Sequence, residues 1–138
     1  MRFLLIMWTL LGATVASSTQ VAFSSEAMLA GRWELTSIDM PIALRRGDYV
    51  VIESATIRIR DACNEVTLRY SIRGNELSAT RMTTTAVACD PPDSFEDESR
   101  LVYEAVLHSR YQIDGDVLRL FSLSDLPFDY SLEFHRVQ

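Results

Sequence analysis

Apolar and polar residues alternate along most of the chain beyond residue 30. In GRWELTSID, Trp33, Leu35 and Ser37 fall on one face and Arg32, Glu34 and Thr36 on the other, the period-two signature of a half-buried strand. Pro41 and Gly47 break the next stretch, MPIALRRGDY, and predict a loop. YVVIESATIRIRD restores strand character, with Ile57 and Ile59 alternating with a solvent-facing Arg58 and Arg60. EVTLRYSI sets Val66, Leu68, Tyr70 and Ile72 on one side. RGNE, 73–76, predicts a turn because Gly74 and Asn75 tolerate positive φ, and LSATRM pairs back. The clearest hairpin is RYQIDGDVLRLFS, where Asp114-Gly115 separates two alternating runs. YSLEFHRV, with Tyr130, Leu132 and Phe134 on one face, reads as the last strand.

One segment changes period. Pro91 and Pro92 cannot continue a strand ladder. FEDESRLVYEAVLHSR then predicts a helix over about 95–109, with Phe95, Val102, Ala105, Val106 and Ser109 on its packing stripe. Ser94 is placed as its N-cap, and Asp97 and its acidic neighbours suit the positive end of the helix.

Residues 1–27 differ from the rest. A minimal basic start, Met1-Arg2, precedes a 14-residue apolar run from Phe3 to Ala16 and then small and polar residues. That order is a secretory leader, too short for the roughly 20 residues of a spanning helix. An uncleaved anchor is the alternative. Small residues allow cleavage after Ala16, Ser18 or Ala27. The domain reading is a leader and linker at 1–27 and a single domain at 28–138, periplasmic or secreted. No cysteine stands near the cleavage region, which argues against a lipid anchor.

Length and charge narrow the function. A chain of 138 residues with 48% hydrophobic residues suits one packed domain. All 13 basic residues are arginine, so lysine Schiff-base chemistry is excluded. The net charge of −6 repels phosphates, which sets nucleic acid aside. An exported chain with two cysteines, Cys63 and Cys89, is expected to join them. Closing that loop of 26 positions stabilises by roughly 3.5 kcal/mol on the chain-entropy account. Two buried thiols, or a redox or metal pair, are the rival readings.

Chemistry is sparse. No CxxC, GxSxG or HExxH spacing occurs, and the histidines are only His108 and His135. Asp90, Asp93, Glu96, Asp97 and Glu98 lack EF-hand order and read as helix N-terminal charge. No metal or cofactor is expected. Asn64 reads as a turn-closing residue and Trp33 as a core anchor, each with ligand contact as the alternative. In FSLSDLPFDYSL, the residues Phe121, Leu123, Leu126, Phe128 and Tyr130 either cap the open end of a curved sheet or form an apolar contact for a partner or lipid chain.

In order and spacing, GRWELTSI, ACNEVTLRYSIRGNELSATRM, a second AC, an acidic helix, YQIDGDVLRLF and a final LEFHR resemble the META domain, the fold of HslJ-type heat-inducible envelope proteins. The resemblance runs from about Trp33 to Arg136 and is carried most by Cys63-Asn64, Thr80 to Met82, Cys89 and Asp114-Gly115. It implies an α+β, mainly β domain: a strongly curved antiparallel sheet, a partial barrel, with one packed helix. Ala62 stands where the family usually has glycine, and extra residues lie between Met82 and Cys89. The expected function is a monomeric, non-enzymatic binding or structural role in envelope stress tolerance. The alternative is a lipid- or hydrophobic-peptide-binding module resembling secretion pilot proteins.

Overall fold

The computed structural model describes residues 25–42, 44, 48–61, 64–86, 88, 93–123 and 129–138. A helical turn, α1 (Ser25–Leu29), leads into β1 (Gly31–Ile38), β2 (Tyr49–Glu53), β3 (Thr56–Asp61), β4 (Asn64–Arg73) and β5 (Glu76–Thr84). The helix α2 (Asp93–Leu107) and strands β6 (His108–Asp114), β7 (Val117–Ser122) and β8 (Ser131–Val137) follow. Each strand pairs antiparallel with the next, and β8 pairs back onto β1, so the curved sheet closes into a barrel. Closure removes most of the free edge that a partial barrel would leave, sparing only β5 past Ser78 and β6 past Arg110.

Antiparallel order puts alternate connections at the same end. At one end, the turn end, Ala55, Gly74 and Gly115 hold φ of 65°, 64° and 58° in two-residue turns beside the start of β1 and the end of β8. The helix end carries the longer connections and α2. Only Glu76–Ser78 of β5 pairs with β6, opposite His108–Arg110. Past Ser78 the helix lies against β5 and packs on β3, β6, β7 and β8. Its buried residues include Leu101, Val102, Ala105 and Val106, which join Trp33, Val50, Ile57, Ile59, Leu68, Leu118 and Phe134 in one core.

Several expectations shift. The helix ends at Leu107, so Ser109 is a buried strand residue rather than the last helical stripe position. YVVIESATIRIRD is two strands, because Ala55 adopts the left-handed conformation and turns the chain. The β1–β8 register slips between Leu35 and Ser37, which turns Ser37 outward and Ile38 into the core. The turn α1 includes Ser25 to Ala27, placed above with the leader and linker. Among the described residues no helix is long and apolar enough to cross a membrane.

Candidate functional site

The barrel interior is occupied by side chains. The space between α2 and the sheet, lined by Leu35, Asp48, Tyr49, Ile59, Arg60, Ser99, Val102 and Phe134, has ≈ 0 Å³ available to a water molecule. Trp33 fills the interior near the turn end. It is fully buried, and its indole Nε1 donates to Leu29 O at 2.8 Å. The Arg136 guanidinium lies over its ring at 4.1 Å and donates to the carbonyls of Ala30 and, at 2.8 Å, Met28. Trp33 is therefore a core anchor.

Open space lies outside, across β6, β7 and β8. Alternation along β6 turns Arg110 and Gln112 outward, and along β7 it turns Arg119 and Phe121 outward. Register places Glu76, Arg110, Phe121 and Ser131 in one row across β5 to β8. Two surface clefts meet on this row and share Arg110 and Phe121. One, of about 380 Å³, is lined also by Asn75, Tyr111 and Gln112. The other, of about 280 Å³, is lined also by Asp39, Ser122, Leu123, Asp129, Tyr130 and Ser131.

The charges of this face differ in their pairing. Arg119 Nε donates to Glu133 Oε2 at 2.9 Å, and His135 Nε2 stands 3.3 Å from Glu133 Oε1. The His135 hydrogen bond, then that of Arg119, holds the Glu133 carboxyl below its usual range. Arg110 has Glu76 as cross-strand neighbour but makes no ion pair among the described residues. Phe121 is 37% exposed.

The structure distributes the residues singled out in the sequence. Asn64 Oδ1 accepts from Thr85 Oγ1 at 3.1 Å, and Thr85 Oγ1 accepts from Glu65 N at 2.8 Å, tying the start of β4 to the end of β5. Thr80 is exposed on β5 opposite Arg69, and Met82 occupies a bulge, 47% exposed. Asp114 ends β6 opposite Val117, and Gly115 and Asp116 form the β6–β7 turn, far along the strands from α2. Leu123 is half-buried and Tyr130 is buried, its hydroxyl donating to Leu101 O at 2.8 Å. Leu123 and Tyr130 both line the second cleft. Leu126, Phe128, Cys63, Cys89 and Asp90 lie outside the described residues, as do the side chains of Asp93, Phe95, Glu96 and Asp97. Glu98, read as first-turn surface charge, is fully buried on the inner face of α2. Among the described residues no group of three or more His, Cys, Asp or Glu is placed to hold a metal ion.

Sequence reasoning missed Arg110, Asn75, Gln112, Asp39 and Asp129. Alternation in VLRLFS does put Phe121 opposite the core-facing Leu118 and Leu120, which was the available signal. Which polar residues surround it depends on barrel register, which no local pattern encodes.

No curated protein matches this chain. Among solved structures it is similar to the NMR structure of a protein from Burkholderia xenovorans, at 16% identity and a TM-score of 0.57. The likeness covers 91% of this chain and 99% of that one, and at this identity it speaks for the fold alone. The META domain profile matches residues 26–132, from α1 into β8. The chain belongs to the META domain family.

Proposed function

We propose that this protein is an exported, non-enzymatic binding module that supports the cell envelope under stress and engages its partner on the outside of the barrel. The observation that carries the reading is the contrast between the space under α2, which among the described residues has no room for water, and an outer face with two clefts meeting at Arg110 and Phe121. A filled core argues against an enclosed acyl chain, because ligand cavities run to several hundred Å³.

Export rests on the leader-like residues 1–27, and it makes a Cys63–Cys89 bridge part of the same proposal. The Asn64–Thr85 hydrogen bond supports the bridge by bringing together the strand ends that lead into both cysteines. Thiol titration of the denatured, unreduced protein is expected to find no free SH; two would remove the bridge. For the binding reading, native mass spectrometry of protein purified from its own envelope is expected to show a retained polypeptide partner. A mass shift matching an acyl lipid, or the bare chain at every concentration, would overturn it.

A further inference from the structure

We infer that the paired clefts bind an extended segment of a partner protein, one that sets a carboxylate beside an apolar side chain and ends in a basic residue. The inference rests on the binding-module reading above and assigns its site. Arg110 lines both clefts, so its side chain stands between them, and it has no ion pair among the described residues although Glu76 is its neighbour across the strands. On a protein of net charge −6, such an arginine is a local attractor for a carboxylate, which it can hold through two parallel hydrogen bonds.

Phe121 is the cross-strand neighbour of Arg110 and offers the adjoining apolar surface. Aromatic and arginine side chains at a partly exposed centre are the usual anchors of protein interfaces. Beyond Phe121 the second cleft is lined by Asp39 and Asp129, so from Arg110 across Phe121 the surface turns from cationic to anionic. Asn75 and Gln112 at the opposite end present amides that can bond a peptide backbone.

Shape agrees with charge. The row from β5 to β8 crosses three inter-strand spacings, about 14 Å, the length of roughly four extended residues. The occupant would lie across the strands and be read by side chains, because the row runs across β6, β7 and β8 rather than along the stretch of β6 past Arg110 that β5 leaves unpaired. The two aspartates select against a nucleic acid, whose phosphates bring anions to both ends, and against an anionic phosphatidylglycerol headgroup, which brings them no cation.

The test is selection from a displayed library of random linear nonapeptides on the full exported chain, followed by fluorescence anisotropy of synthetic winners. Enriched peptides are expected to carry Asp or Glu next to an apolar residue, with Arg or Lys three or four positions away. Arg110→Glu and Phe121→Ser should each weaken binding at least tenfold while leaving the thermal midpoint unchanged. A peptide with its acid changed to Lys should regain affinity for Arg110→Glu. Winners without an acidic residue, or binding by both variants as tight as that of the wild type, would overturn the site. So would tighter binding to phosphatidylglycerol vesicles than to any peptide. A partner retained from the envelope by wild type and both variants would sink this site yet leave the binding-module reading standing. Loss of any retained partner in the wild type sinks that reading itself.

Discussion

The two ends of the barrel solve the same problem differently. At the turn end, polar groups near the core are mostly matched. Trp33 Nε1 meets Leu29 O, and the Arg136 guanidinium covers the indole, bonds two carbonyls of the entering chain and stands 3.5 Å from Asp116. At the helix end, Asp48 Oδ2, Ser99 Oγ and Ser109 Oγ are buried with no hydrogen-bond partner among the described residues. A buried polar atom left unmatched costs about 1–3 kcal/mol. The difference teaches that closure is secured by the Trp33–Arg136 clamp, whereas α2 holds the other end through apolar contact despite its polar residues.

If the clamp secures the fold, the largest loss should follow removal of its centre. Trp33→Ala is expected to destabilise by about 3–5 kcal/mol in urea unfolding, since the residue is fully buried. A loss below 1 kcal/mol would break the comparison outright.

Arg136→Met comes next, at about 2–3 kcal/mol, because charged hydrogen bonds to carbonyls and a cation–π contact go together. Arg136→Lys should restore only part, since an ammonium cannot fork to two carbonyls while lying flat on an indole. Gly31→Ala should cost about 1–3 kcal/mol through its φ of +139°. Its new Cβ would stand 2.7 Å from Arg136 Nη1, so the two substitutions should be non-additive in a double-mutant cycle.

The helix end should behave in the opposite sense. Ser99→Ala and Ser109→Ala each remove a buried, unmatched hydroxyl and are expected to be neutral, or to stabilise by up to about 1 kcal/mol. A loss above 1 kcal/mol at both positions, read from the same urea curves, would erase the contrast between the ends.

How legible each end is in the sequence follows from its chemistry. Gly74 and Gly115 announce their turns because φ > 0 favours glycine, but Ala55 adopts the same conformation and left no mark. Trp33 reads as a core residue by alternation alone. Its partner Arg136 is 103 positions away, and only the β1–β8 pairing joins them. The α2 stripe predicted Val102, Ala105 and Val106, yet it missed that Glu98 and Ser99 turn inward, since polarity alone places them in water. The outer clefts were least legible, because three strands and the connections between strands supply them and their register is set by closure.

The smallest effect separates the ends by pH. Burial raises the hydroxyl pKa of Tyr130 at the helix end, with Ser122 opposing through a hydrogen bond. Burial likewise raises that of Tyr70 at the turn end, with the Glu26 carboxylate adding to it. Each group thus keeps its proton in the folded chain above 10.0, where the unfolded chain releases it. The folded state then binds more protons, so stability is intact below pH 10 and falls as pH rises through that value towards the folded pKa. Urea midpoints between pH 8 and 11 should decline in the wild type, and both Tyr70→Phe and Tyr130→Phe should flatten the decline. At pH 7 the two variants should part. Tyr130→Phe loses the bond to Leu101 O and should cost about 1 kcal/mol. The Tyr70 hydroxyl has at most a weak contact with the Ala55 backbone, so Tyr70→Phe should cost less than Tyr130→Phe. Equal losses at pH 7 would show that the Tyr70 hydroxyl is matched after all, and that the turn end holds no exception to its pairing.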